Sequence, residues 1–123
     1  MAVSQIEIIK LMDAVECQNG TANATKYSDS WSFRKCTGTA AVFVISTAGT
    51  LAITQQCSTD NVTWYDPVDI SNGALGVVKA VQTATTGLYV VYTPVLTEWA
   101  RFKVVETTAK TNVTLILMAR VEV

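Results

Sequence analysis

Four carboxylates, Asp60, Asp66, Asp69 and Glu98, are where acid–base or metal chemistry would have to be sought in this chain. Two carboxyl groups facing each other across a sugar can serve as acid and as base or nucleophile in glycoside hydrolysis. Clustered aspartates can also offer the hard oxygen ligands that calcium takes. The three aspartates lack the every-second-residue spacing of an EF-hand loop, and nothing near them would push two carboxyl pKa values apart. They read as solvated loop carboxylates, with no metal and no cofactor expected. The sequence contains no histidine. That removes imidazole bases, Ser–His and Cys–His pairs and His-containing zinc sites in one step. Cys17, Cys36 and Cys57 are odd in number and form no CxxC pair, so they read as free, mostly buried thiols, with one disulfide plus one thiol as the alternative. No catalytic residue is assigned, and the expectation is a protein that is not an enzyme.

Binding chemistry has more material. Trp31, Trp64 and Trp99, with Tyr27, Tyr65, Tyr89 and Tyr92, could make an aromatic platform for sugar, although in a small β protein such residues more often anchor a core or an interface. Nine basic against ten acidic residues give a net charge of −1, without the basic footprint of a nucleic-acid binder. So even a balance opposes self-association only weakly. The segment 73–76 lacks the lysine and spacing of a phosphate loop, and a small-molecule ligand is not expected. No stretch approaches the length of an apolar membrane-spanning helix, and residues 1–12 do not read as an export signal.

The elements that must position these residues are strands almost throughout. Hydrophobic residues make up 50% of the 123 and charged residues only 15%; eighteen Thr, seventeen Val and seven Ile put about a third of the chain in β-branched types. Residues 4–12 form a first strand, and the polar stretch 18–32 reads as a long loop or extended arm. Residues 39–46 are apolar on both faces, Ala41, Phe43 and Ile45 against Val42 and Val44, which predicts a central strand covered on both sides. A tight connection at 47–49 then predicts a β-hairpin with residues 51–57. A turn at 58–61 leads into 62–65, where Trp64 is expected at the edge of the core. Further strands are read at 74–81 and 88–93. At 99–106 Ala100, Phe102 and Val104 face in while Arg101 and Lys103 face out. A polar hairpin connection at 107–112 leads to the last strand, 113–123. Seven or eight strands and no helix predict a single all-β domain over residues 1–123. It is expected as an antiparallel β-sandwich or barrel-like jelly roll. Residues 1–38 are read as an N-terminal strand or arm plus polar loop, and 39–123 as the core sandwich.

Within this pattern, Ser58, Asp60, Thr63 and Trp64 form a Ser-x-Asp-x-x-Thr-Trp turn; Gly87-Leu88-Tyr89 opens a strand; Pro94-Val95 makes a step; and Trp99-x-Arg101-Phe102-x-Val104 precedes a Val113-Thr114-Leu115 strand. These residues resemble a group of small tailed-phage virion structural proteins, the capsid decoration or cement-like β-sandwiches. Asn61 departs from the glycine common after the aspartate in that pattern, and the N-terminal third lies outside the resemblance. The resemblance implies an auxiliary capsid protein, made in a host cytoplasm and resident in the virion. Its implied partners are the major capsid protein and copies of itself, with a trimer favoured. Ile6, Ile8 and Ile9 in the arm and Tyr27 and Trp31 in the polar loop are the expected contact residues, followed by Trp64, Tyr65 and Trp99. The alternatives are a tail, fibre or cell-surface β-sandwich that binds carbohydrate or a receptor, and a tail-tube or filament subunit.

Overall fold

The structure is a computed structural model and describes residues 4–34, 36–46, 50–67, 88–92, 94 and 96–122. The strand expected at 74–81, the turn at 47–49 and Asp69 lie outside the described residues. Among the described residues there are eight strands: β1 (Ser4–Gln18), β2 (Thr25–Tyr27), β3 (Trp31–Ser32), β4 (Cys36–Ser46), β5 (Leu51–Ser58), β6 (Leu88–Tyr92), β7 (Trp99–Glu106) and β8 (Lys110–Glu122). They form two antiparallel sheets, which makes the fold an all-β sandwich. One sheet has the order β1-β8-β4-β6. In the other, β5 pairs with β7 along its whole length, so β2 and β3 share the opposite edge of β7 end to end.

Alternation decides which side chains meet between the sheets. From β8, Val113, Leu115, Leu117, Ala119 and Val121 are buried; from β7, Ala100, Phe102 and Val104; from β4, Val42 and Val44; from β5, Leu51 and Ile53. The gap between β2 and β3 would leave β7 short of one partner. The Ser28 hydroxyl fills it, accepting the Phe102 N–H at 2.8 Å, while the Ser28 N–H donates to the Phe102 carbonyl at 2.9 Å.

The N-terminal segment departs from the expected pattern in an instructive way. β1 runs on to Gln18 and pairs within the chain's own sheet, against β8 from Ser4↔Glu122 to Gln18↔Lys110. Its register shifts twice between Lys10 and Val15. Ala14 there takes a positive φ of 50° and gives its N–H to Thr114 Oγ1 at 3.0 Å. A bulge changes the phase of alternation, so Leu11 and Met12, although adjacent, both point inward. The stretch 18–32 is not a continuous loop, because β2 and β3 are short strands within it.

Two connections expected as hairpins are instead steps between sheets. β4 pairs with β8 and β6, whereas β5 pairs with β7, so the 4–5 connection crosses the sandwich. β4 carries apolar residues on both faces and takes an interior place in its sheet, which leaves no edge of it for β5. Likewise β7 and β8 do not pair; the chain passes from one sheet to the other at residues 107–109. Ala41, Phe43 and Ile45 are half-buried, so among the described residues the outer face of β4 is not a second core, contrary to expectation.

The step after β7 is fastened by a buried carboxylate. Glu106 is 1% exposed, and its Oε1 accepts the N–H groups of Thr50 at 3.1 Å, Thr108 at 2.9 Å and Ala109 at 3.0 Å. The other oxygen has no partner among the described residues. Burial pushes this carboxyl pKa up, but the backbone donors outweigh it and hold the group below its ordinary value. A carboxyl depressed by folding stabilises above the unfolded-state value and loses that contribution as pH falls through the folded one. Replacing Glu106 by Ala removes the shared acceptor of three backbone N–H groups and is expected to cost about 1–3 kcal/mol in urea denaturation. Glu106→Gln should retain part of that stability but lose the acid-side decline, and equal acid sensitivity in wild type and Gln variant would refute the assignment.

Candidate functional site

The strand alternation that fills the core also decides what each sheet shows outside. On the β1-β8-β4 sheet, Ile6 lies opposite Arg120, Ile8 opposite Met118 and Lys10 opposite Ile116. On the other side of β8, Ala41 faces Met118 and Phe43 faces Ile116. Ile6 and Ile8 are 64% and 67% exposed, and Ala41, Phe43, Ile45, Ile116 and Met118 are half-buried. The result is an apolar outer face, open at the β1 edge. Ile9 points the other way and packs against the core, which removes it from the expected contact set.

The second sheet shows a different exterior. The Arg101 guanidinium lies over the Tyr27 ring at 4.1 Å and the Trp64 ring at 4.6 Å. Its Nε donates to Gln56 Oε1 at 2.8 Å, and Gln56 Nε2 donates to Asp66 Oδ1 at 3.0 Å. Burial lowers the arginine pKa, but the group remains a cation, which is what the rings require. Trp64 therefore closes over a strand face and does not enter the core edge; Val62, its expected in-phase neighbour, is 77% exposed. Tyr65 is 63% exposed and exchanges two 2.9 Å backbone hydrogen bonds with Cys57.

The loop carrying Trp64 is built by its own polar residues. Asp60 Oδ1 accepts the N–H groups of Val62 and Thr63, both at 2.9 Å, and Ser58 Oγ accepts the Asn61 N–H at 2.9 Å. Those backbone donors, with the Ser58 hydroxyl, lower the Asp60 pKa. Asn61 adopts φ 62°, the left-handed conformation that asparagine tolerates better than most residues. Asp60 Oδ1 thus serves its own turn. Among the described residues no group of three acidic or cysteine side chains is placed to hold a metal. The three cysteines are free thiols, and burial raises the pKa of each, which leaves them poor nucleophiles.

Trp31, opposite the inward Ala100, and Trp99, in phase with the outward Arg101, leave opposite faces of the β3–β7 ladder near one open end of the sandwich. Ser32 lies opposite Trp99 in the β3–β7 ladder, and Trp31 stands edge-on to Phe33 with ring centroids 4.4 Å apart. Both residues border a cleft of about 460 Å³, with Gln5, Glu7, Ser32, Arg34, Val121 and Glu122. Arg34 is paired with Glu98 through two guanidinium nitrogens. The predicted contact residues thus separate into three places: Ile6 and Ile8 on the apolar face, Tyr27 and Trp64 in the guanidinium stack with Tyr65 beside it, Trp31 and Trp99 bordering the cleft. Arg101, Phe43, Ile116 and Met118 were not among the candidates. Apolar residues on both faces of 115–119 are the signal for the last two.

No protein-family model matches the chain, and no curated protein matches it in sequence. Among solved structures, the fold is similar to the crystal structure of SPBc2 prophage-derived protein YomS. The TM-score is 0.57 and the identity 12%, over 96% of each chain. A match of this extent at that identity shows a shared β-sandwich fold. The crystal structure of dimeric latent PorU from Porphyromonas gingivalis aligns with 98% of this chain but 13% of its own length, at a TM-score of 0.42 and 13% identity. That similarity carries no argument.

The guanidinium stack makes a checkable claim. Arg101→Ala should leave the sandwich folded by far-ultraviolet circular dichroism but release the Trp64 loop, seen as faster hydrogen exchange at Val62 and Thr63. Unchanged exchange would mean that the loop stands on Asp60 and Ser58 alone.

Proposed function

We propose that this chain is a phage-associated structural protein of the virion, working as an auxiliary capsid protein that binds the major capsid protein and copies of itself. The observation that carries the reading is the apolar outer face of β1, β8 and β4. Ile6 and Ile8 stand out from an edge strand beside Ile116, Met118 and Phe43. A sandwich needs only one apolar face per sheet to form its core, and a second contiguous one is the mark of a surface that meets protein. The similarity in fold to a prophage-derived protein over nearly the whole of both chains supports the phage association.

The mechanism is burial, not chemistry. Apolar area from the β1 edge is removed from water against a neighbouring subunit, at roughly 25 cal/mol per Å². Affinity per copy can be modest, since a lattice offers many equivalent sites and an oligomer gains avidity. A closed trimer would match three-fold positions on an icosahedral shell.

Ile6→Lys combined with Ile8→Lys places two charges on positions already exposed in the monomer, so folding should be retained. Cosedimentation with phage heads that lack the protein should fall at least about tenfold. Binding equal to wild type would overturn the assignment of the interface. Light scattering on the purified protein is expected to show a small closed oligomer, and a filament would overturn the capsid reading.

A further inference from the structure

We propose that Asn19 is a site of spontaneous covalent modification, at which the chain converts its own asparagine to aspartate and isoaspartate. In the Asn19-Gly20 pair the Gly20 nitrogen attacks the side-chain carbonyl carbon of Asn19. The new C–N bond closes a cyclic imide, and the carboxamide nitrogen leaves as ammonia, carrying the proton of the Gly20 amide. Water then opens the imide at either carbonyl. Opening at one restores the main chain with an aspartate; opening at the other routes the main chain through the former side chain. The reaction needs water alone, with no oxidant, cofactor or second protein.

Local sequence and fold agree on which of the described asparagines reacts. The attacking nitrogen is always that of the following residue. After Asn23, the Ala24 N–H donates to the Thr21 carbonyl at 3.2 Å. After Asn61, the Val62 N–H donates to Asp60 Oδ1 at 2.9 Å. After Asn112 comes Val113, fully buried within β8. The two valines also set a branched side chain beside the nitrogen. The Gly20 N–H, by contrast, has no hydrogen-bond partner among the described residues, and Asn19 and Gly20 are both exposed. Gly20 adopts φ 80°, and a Cβ placed there would meet nothing within 4 Å, so the turn leaves open space around the nucleophile. The place is also one where a change of main chain matters. The Asn19 N–H donates to the Ala109 carbonyl at 2.9 Å, in the step between β7 and β8 that Glu106 gathers. The isoaspartyl product adds a carbon to the main chain at this join and sets a new carboxylate beside it.

The folded protein is incubated at mildly alkaline pH, cut with trypsin at Lys10 and Lys26, and the 11–26 peptide fragmented in a mass spectrometer. Asn19 should gain the mass difference between a hydroxyl and an amino group, as two products that separate by chromatography. The rate should rise in proportion to hydroxide, since the deprotonated Gly20 nitrogen is the nucleophile. Asn23 on the same peptide, and Asn61 on another, should lag at least about fivefold, because each attacking N–H must first give up its hydrogen bond. Asn19→Gln, an exposed change that leaves the core untouched, should lose both products. No mass gain at Asn19, a rate at Asn23 or Asn61 equal to that at Asn19, or the same products in Asn19→Gln would each overturn the proposal. The Asn72-Gly73 pair lies outside the described residues and on a different tryptic peptide from Asn19, so its chemistry is read apart.

Discussion

Both sheets hang from a single step in the chain. β7 is the strand with which β2, β3 and β5 all pair, and β8 is the strand with which β1 and β4 pair. These two organising strands are consecutive, and only residues 107–109 separate them. The Glu106 carboxylate gathers the backbone of that step, and its bond to the Thr50 N–H ties the entry of β5 to the same point. Burying an ionised carboxylate is costly, and it is tolerated here because several backbone N–H groups replace its water. The Thr107 N–H reinforces the join, donating to the Thr50 carbonyl at 3.0 Å. The relative placement of the two sheets, and so of everything on their outer faces and at their open ends, follows from this clamp.

The strands themselves were legible because burial follows a period of two. In 99–106 and 113–121 every residue assigned inward is inward, since an apolar residue recurs at every second position from Ala100 to Val104 and from Val113 to Val121. Pairing was not legible. Residues 39–46 and 51–57 carry the alternation and spacing of a hairpin, but pairing depends on which edges are free. β8, seventy residues away, competes for β4 with a matched run of Val, Leu and Ile. The phase of the N-terminal strand was hidden by a bulge. Without the register shift between Lys10 and Met12, Leu11 and Met12 could not both be inside, and no glycine or asparagine marks the place.

The candidate sites show the same division. Ile6 and Ile8 could be read as exposed because they sit in phase with Lys10, whereas Ile9, one residue out of phase, belongs to the core. The aromatics were identifiable as anchors but not as partners of one another. The β3–β7 ladder sets Trp31 beside inward Ala100 and Trp99 beside Ser32, and Tyr27 and Trp64 meet through an arginine that alternation alone marks as a solvated charge. A residue's neighbours across a sheet are set by register, and register is a property of the whole fold.

The unusual composition acquires a location in this light. A two-sheet sandwich of ordinary make-up alternates apolar and polar residues along each strand, so its hydrophobic share is limited by one face per sheet. Here the β5-β7 sheet keeps to that rule, with Thr54, Gln56, Arg101 and Lys103 outside. The β1-β8-β4 sheet does not: Ile116 and Met118 intervene between Leu115, Leu117 and Ala119, and Phe43 and Ile45 between buried valines. Among the described residues, the apolar side chains outside the core are therefore not spread evenly but gather on one exterior. The cost of leaving that exterior in water is borne by every free copy of the protein, and a partner that covers it recovers the cost. A surface of this kind, on a fold whose other exterior is held polar by a stacked arginine, gives the molecule a direction in which to associate.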